Sequence, residues 1–458
     1  MRPATLQEVA LALGGVLHGA DGNAEARGAA TDSRQAREGD LFFALRGRTD
    51  GAEFAGEALG RGAVATVATR PLDGPTLVVE DPLAALQGLA RWSLRRPGVE
   101  APTVVGITGS VGKTTTKDAL SAVLRAAGLK VSATVGNLNN EIGLPLTVLA
   151  AGTATEVLVL EMGADHVGNI ADLCDTAPPR YGILTAIAPA HLESFGSLEA
   201  LAATKGELAA SLPPNGSFVS PLGVPDAAVA PGKDLARRLV FSPKAAEGAD
   251  LWASDFAEDE NGLRFVAHLG GLSAGVRSPV FGTHLVEPLL AAMGGAVALG
   301  LELEEAARGI SRLKRTGMRG DVYSLRNDVL VYDDSYNAAS PPSMAAVLRY
   351  AAETARKQER RLVVVLGGCS SSGRAPGPTT GRSGRSRTTS AWTCSPASAT
   401  RPAGTRKPSP ARPSSTPTRP PPPRYATPSN PGLPHSQGFE GVQLDTLTRQ
   451  LKESLALV

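Results

Sequence analysis

Through the first 98 residues, short apolar runs alternate with turn signals: Leu41-Phe42-Phe43-Ala44-Leu45, Ala63-Val64-Ala65-Thr66-Val67 and Thr76-Leu77-Val78-Val79, with helical stretches between them. Runs of this length predict the strands of a small α/β unit. Pro97-Gly98 and Pro102 then punctuate the chain and mark a boundary. From about residue 103 to 310 the spacing predicts strands over Thr103–Thr108, Lys130–Thr134, Glu156–Glu161 and Gly182–Ile187. It predicts helices over Lys113–Ala127, Ser197–Leu212 and His284–Leu299. The strand runs are apolar on both faces, so the expected core is a parallel sheet with helices on both sides. A third unit opens near Lys314, with a strand over Asp328–Asp333, a helix over Pro342–Arg360 and a buried strand over Arg361–Leu366.

The pattern then stops. Residues 369–439 hold fifteen prolines, no Val, no Ile and a single Leu, Leu433. They carry too little apolar surface to offset the entropy of ordering a chain. A helical period returns after Phe439, with Leu444, Leu447, Leu451 and Leu455 on one face. The expected domains are therefore 1–98, 99–312 and 313–458, the last interrupted by low-complexity sequence. The same tract explains the charge. It holds ten Lys or Arg and no acid, while outside it 36 basic residues face 44 acidic ones, a net of −8. Bulk charge thus makes no case for nucleic acid. No window approaches eighteen apolar residues, so no membrane insertion is expected. MRPATLQEVALALGG lacks the features of a leader and reads as the start of a folded domain. Cys174, Cys369 and Cys394 form neither a disulfide framework nor a metal spacing, which suits a cytoplasmic protein.

GITGSVGKTTTK, Gly106 to Lys117, follows one predicted strand and opens a helix. Gly109 and Gly112 let the backbone N–H groups of this loop, with Ser110 and Val111 between them, approach phosphate oxygens, and the helix start adds a favourable dipole. Lys113 supplies a point charge, and the Thr114 hydroxyl, followed by Thr115, suits Mg²⁺. The common G-x-x-x-x-G-K-[ST] pattern is not met, because Ile107 stands where it requires Gly. Glu161 ends a predicted strand at the carboxyl edge of the sheet, a place for a metal-binding carboxylate or for one that simply faces water. Taken alone, His191 is a structural histidine, Lys205 a solvated lysine, Asn139-Asn140 a turn and Arg34 a surface arginine.

The loop, together with TVGNLNNEIGLP (134–145), LVLEMGADHVGNI (158–170), PAHLESFGSLEALAATKGEL (189–208), LVYDDSYNAASPPSM (330–344) and TDSRQAREGDLFFALRGRTDGAEF (31–54), resembles the Mur ligase family, ATP-dependent amide-forming enzymes of peptidoglycan synthesis. The resemblance covers residues 1 to about 368. GNLNN with DDSYNA points to the member that adds D-Ala-D-Ala to a UDP-N-acetylmuramoyl-tripeptide. It implies three α/β domains: a UDP-substrate domain, a P-loop-type ATP domain and a Rossmann-like third domain. It implies a monomer using ATP and Mg²⁺, with Lys113, Glu161, His191 and Lys205 at the chemistry. Metal ligands would be Thr114, Glu161, His191 and a carbamylated Lys205. ATP would also meet His284, Arg319, Asp334, Tyr336 and Asn337, and the UDP substrate Ser33, Arg34, Asn139 and Asn140. Other expectations stand beside this one: another Mur or folylpolyglutamate-type ligase, or a catalytically silent nucleotide- or UDP-sugar-binding protein.

Two departures stand out. In GTHLVEPLL, Leu285 and Pro288 occupy positions where the family carries amides that contact adenine. After Leu366 the family continues Met-Leu-Glu-Leu-Gly, whereas this chain reads GGCSSSGRA. G+C-rich codons for Gly368–Arg374, read from the third base, give Val-Leu-Glu-Leu-Gly-Pro. Paired frameshifts near codons 368 and 438 therefore account for the acid-free tract; a genuine basic insert that binds RNA or an acidic surface is the other reading.

Overall fold

The computed structural model describes residues 1–98, 100–189, 192–259, 261–314, 321–325, 329–334, 341–366 and 390–393. The N-terminal unit comprises β1 (Ala4–Thr5), α1 (Leu6–Leu13), β2 (Val16–His18), β3 (Glu25–Ala26), β4 (Gly28–Ala30), β5 (Asp40–Phe43), α2 (Ala55–Gly60), β6 (Ala65–Ala68), β7 (Thr76–Val78) and α3 (Pro82–Arg95). β1 pairs with β3, and the main sheet runs β2-β7-β6-β5-β4, parallel except at β2–β7. Local chemistry sets the helix ends. Thr5 and Glu8 form a reciprocal capping box on α1, Gly14 closes it in the left-handed region, and Asp81 caps α3 just before Pro82.

The central unit contains β8 (Thr103–Thr108), α4 (Lys113–Ala126), β9 (Val131–Ala133), α5 (Gly143–Ala150), β10 (Val157–Glu161), α6 (Asn169–Thr176), β11 (Tyr181–Leu184), α7 (Leu192–Phe195) and α8 (Leu198–Ala210). It continues through β12 (Ser217–Pro221), α9 (Asp226–Val229), β13 (Arg237–Ser242), β14 (Leu251–Asp259), β15 (Gly262–Leu269), β16 (Leu272–Ser278), α10 (Val286–Ala298) and α11 (Leu303–Ile310). Nine strands form one sheet ordered β16-β15-β14-β13-β12-β11-β8-β10-β9. It is parallel from β9 to β14 and antiparallel across β14, β15 and β16. The antiparallel end was not visible in the apolar spacing, because its outer face is solvated and its strands carry Asp, Arg and Ser.

Alternation along the parallel strands splits their side chains between two cores. Val105, Ile107, Val157 and Val159 join α4, α10 and α11 on one face. Val104, Leu158 and Leu160 join a second core that also takes in Leu86 and Leu89 of α3 and Leu144 and Val148 of α5. The N-terminal unit is therefore docked on the central sheet through a shared apolar core, with each fully buried Leu contributing roughly 1.5–3 kcal/mol. Gln87 adds a hydrogen bond to the Glu141 carbonyl (3.3 Å). α10 lies tight against the other face because Gly294 and Gly295 leave room; a Cβ on Gly295 would come 2.5 Å from Ile183 Cδ1.

The third unit shows the hairpin β17 (Asp321–Leu325) and β18 (Val329–Asp333), α12 (Pro341–Lys357) and β19 (Val363–Leu366). β19 pairs in parallel with a short strand inside the proline-rich tract, β20 (Ser390–Thr393). Apart from β20, residues 369–439 and the expected helix after Phe439 lie outside the described residues.

Candidate functional site

β8 sits between β10 and β11, so the crevice beyond their carboxyl ends is where an open α/β sheet binds ligands. The loop Gly109–Gly112 lies there and leads into the N-terminus of α4. Gly109 (φ 145°) and Gly112 (φ 87°) occupy conformations that L side chains avoid. A methyl on Gly109 would overlap the Thr185 hydroxyl, and one on Gly112 would lie 3.1 Å from Pro288 Cγ. The loop is strapped to the segment after β11. Ser110 N–H donates to the Ala186 carbonyl (2.8 Å), Ala188 N–H donates to Ser110 Oγ (3.1 Å), and the Thr185 hydroxyl donates to the Val111 carbonyl. Lys113 Nζ folds over the loop onto the Gly109 carbonyl (2.7 Å), while Thr115 is half-buried in the first turn of α4.

Glu161, at the end of β10, is only 3% exposed. It is no strand-end carboxylate facing water. The Thr114 hydroxyl donates to Oε2 and the Asn139 amide to Oε1, both at 2.8 Å. Its own N–H donates to Thr134 Oγ1 (2.9 Å). Asn139 is thus brought to the carboxylate. Asn140 turns the other way, its side-chain oxygen accepting the Gly143 N–H (2.9 Å) at the start of α5. Glycine-lined N–H groups, a lysine, a hydroxyl and an oriented carboxylate suit a nucleotide phosphate with a hard cation. Among the described residues no three His, Cys, Asp or Glu side chains cluster.

Lys205 on α8 is 3% exposed, so it is not a solvated lysine. Burial and the neighbouring Lys113 charge lower its pKa to about 7, with Glu207 and Asp165 pulling the other way. Glu207 is spent on the backbone, accepting the Gly168 and Ala171 N–H groups (2.8 and 3.0 Å) at the start of α6.

His284 sits apart from the phosphate loop contacts, in a single 3₁₀ turn before α10, with its ring 6.4 Å from that of Tyr350 on α12. Tyr332 of β18 stands 5.2 Å from Tyr350, and its hydroxyl donates to the Phe281 carbonyl (3.4 Å). Leu285 packs on the central core, and Pro288 lies over Gly112 with its carbonyl accepting the Thr116 hydroxyl (3.1 Å). Neither side chain offers a base a hydrogen bond. Burial pushes the His284 imidazole down to about 4, and its Nδ1 has no partner among the described residues. The unfolded chain takes up that proton near pH 6.5, whereas the folded chain refuses it until about pH 4. The neutral ring's contribution is therefore complete above pH 6.5 and declines as pH falls toward 4, by roughly 2–3 kcal/mol in all. Urea unfolding across that window should show the decline, and His284→Phe should flatten it; an equal slope in the variant removes His284 as the cause.

In the N-terminal unit Ser33 is buried and donates to Glu57 Oε2 (2.7 Å). The exposed Arg34 is engaged by Asp32 through Nε (2.9 Å) and Nη2 (2.7 Å). Asp334 is exposed at the end of β18. His191, Arg319, Tyr336 and Asn337 lie outside the described residues. Thr134, Lys117 and Thr185, which brace the site, were not singled out from the sequence. A hint lay in Lys117 falling one turn after Thr114 on the same helix.

The description "Mur ligase middle domain" matches residues 107–296. The UDP-N-acetylmuramoyl-tripeptide--D-alanyl-D-alanine ligase of Mycobacterium bovis is 38% identical over 362 residues, 73% of this chain and 70% of that protein. Among solved structures, MurF from Acinetobacter baumannii matches with a TM-score of 0.71 at 30% identity, covering 80% of this chain and 79% of that one. MurF ligase from Thermotoga maritima in complex with ADP matches at 0.65 and 32% identity, covering 76% and 79%.

Proposed function

The chain belongs to the Mur ligase family, and from that premise we infer how its residues divide the work. It is an ATP-dependent ligase of peptidoglycan synthesis that joins D-Ala-D-Ala to UDP-N-acetylmuramoyl-tripeptide, giving ADP and phosphate. A folylpolyglutamate-type activity is not favoured by 38% identity to a dipeptide ligase. No described helix is long and apolar enough to cross a membrane; a cytoplasmic monomer is the reading we adopt.

The chemistry follows from the substrates. A carboxylate has no usable leaving group, so the γ-phosphoryl of ATP passes to the tripeptide carboxylate, forming an acyl phosphate. The dipeptide amine attacks that acyl carbon, phosphate leaves with the C–O electron pair, and the amine's proton goes to solvent or a nearby base. Two anions must meet, so the site has to supply positive charge. Residues 99–312 hold ATP: the N–H groups of the Gly109–Gly112 loop, apart from that of Ser110, which the Ala186 carbonyl takes, and the Lys113 ammonium take the β and γ phosphates. Thr114 and Glu161 would hold Mg²⁺, which when bound draws charge off the transferring phosphoryl group. His191 and a carbamylated Lys205 would complete a second cation position. Residues 1–98 take the UDP substrate, with Ser33 and Arg34 at the nucleotide and Asn139 and Asn140 beyond it. Arg34 would then exchange Asp32 for diphosphate oxygens. From residues 313–458, Arg319, Asp334, Tyr336 and Asn337 would close over ATP, with His284 at the junction.

The observation that carries this reading is the buried Glu161 carboxylate held against Thr114 at the mouth of the glycine loop. The test is phosphate release that requires D-Ala-D-Ala and the UDP-linked tripeptide together, measured on this chain and on a version with the tract read in the family's frame. Release in the in-frame version with single amino acids or glutamate instead would overturn the substrate assignment. Carbamylation has its own check. It needs the neutral amine, so a ¹³C carbamate signal from labelled bicarbonate should grow as pH rises through about 7 and be absent in Lys205→Arg. No such signal from about pH 6 to about pH 9 removes the carbamate.

A further inference from the structure

Lys117 is a second lysine on α4, one turn after Thr114 on the same face, and it is only 5% exposed. A buried ammonium is costly unless it is paired, and an apolar side chain would fill that space at less cost. This one stands 2.9 Å from Asp118 Oδ1 and donates to the Thr134 carbonyl at 2.7 Å. Thr134 is the residue where β9 leaves the sheet: its N–H still donates to the Val159 carbonyl (3.1 Å), and its hydroxyl accepts the Glu161 N–H (2.9 Å). The chain then turns and returns Asn139, whose amide holds Glu161 Oε1 and whose carbonyl accepts the Gly163 N–H (both 2.8 Å).

Three side chains therefore hold Glu161: Thr114 from α4, and Thr134 and Asn139 from the segment after β9. Among the described residues, the Lys117–Thr134 bond ties the segment to α4. We infer that Lys117 is a positioning residue for the ligase reaction, bracing the 134–139 segment so that the Glu161 carboxylate is presented at the phosphate loop. The inference rests on Glu161 holding Mg²⁺, and what it adds is the brace. Without the bond, the Thr134 carbonyl is left in a buried place without its cation, the segment shifts, and both of its holds on Glu161 loosen.

Calorimetric titration of the full chain with ADP over a series of Mg²⁺ concentrations tests this without requiring turnover. In Lys117→Met the Mg²⁺ concentration giving half of the tightening should rise by about tenfold or more, the usual effect of losing a group that orients a metal ligand. ADP binding without Mg²⁺ should stay within about twofold of the parent, because the glycine loop and Lys113 are untouched. An unchanged Mg²⁺ requirement overturns the inference. So does an equal loss of ADP affinity with and without Mg²⁺, since a merely structural lysine would act that way. Should Lys117→Met not fold, Thr134→Val decides on the same readout: it keeps the carbonyl and removes the hydroxyl that holds Glu161. A tenfold rise supports the segment's hold on Glu161 through which the brace acts, and parent behaviour overturns the brace. If Mg²⁺ leaves ADP binding unchanged in the parent chain, the metal reading of Glu161 falls and the brace with it; Mg²⁺ dependence preserved in the variants overturns the brace alone.

Discussion

Reading residues 369–439 in the family's frame should raise dipeptide-dependent phosphate release by about a thousandfold or more over the chain as it stands. The reason lies in what a third unit contributes. Closing over ATP brings cations to the phosphates and excludes water, effects that together lower a barrier by several kcal/mol. That closure needs a sheet able to bury its own faces. In this chain Val363 and Val365 of β19 remain 47% and 42% exposed, and Val329 and Leu330 of β18 remain 41% and 38% exposed. The tract that follows, 369–439, has fifteen prolines, no Val or Ile and a single Leu with which to cover them. The comparison is meaningful once a peptide mass map across residues 360–445 has confirmed which tract each protein carries. Equal rates, from a protein whose mass confirms the proline-rich tract, would sink this expectation.

Glu161→Gln should leave the fold in place yet lower turnover of the in-frame protein by about a thousandfold, with loss of Mg²⁺-dependent nucleotide binding in either version. The substitution keeps the volume of a buried side chain that now accepts bonds from Thr114 and Asn139. One amide face must then meet a donor where a carboxylate oxygen stood, a local cost of about 1–3 kcal/mol in stability. What disappears is the negative charge, which neither Thr114 nor Asn139 can replace. Thermal unfolding should therefore move by only a few degrees while the metal response collapses. A variant that unfolds early but keeps the parent's Mg²⁺ dependence would show that Glu161 is structural. A Gln variant with parent turnover would remove it from the reaction altogether.

These expectations differ in where they were first visible. The low-complexity tract is a compositional fact, and the phosphate loop is a local one: glycine spacing, a lysine and a helix start lie within a dozen residues. Glu161 was legible as a position, at the end of an apolar run, but its environment was not. Whether a strand-end carboxylate faces water or is gripped by a hydroxyl 47 residues away and an amide 22 residues away depends on which strand β8 lies beside. Lys205 makes the same point. A lysine on a helix is ordinarily solvated, and only the packing of α8 reveals that this one is buried with a second lysine near enough to lower its pKa.

The sequence by itself determined the parallel strands β8 to β11 and the helices α4, α8 and α10, because residues buried on both faces must be apolar at consecutive positions; β12 and β13 were not read from it. It also determined the glycine loop before α4, because glycine adopts the positive φ of Gly109 and Gly112 without strain. The tertiary structure alone decided three things. It set the antiparallel extension β14–β16, whose mixed faces carry no clear period. It docked the N-terminal unit on the central sheet, through Leu86, Leu89, Leu144 and Val148 that any amphipathic helix might present. And it built the brace from Lys117 through Thr134 to Glu161, because hydrogen bonds between distant segments exist only once strand order has brought their ends together.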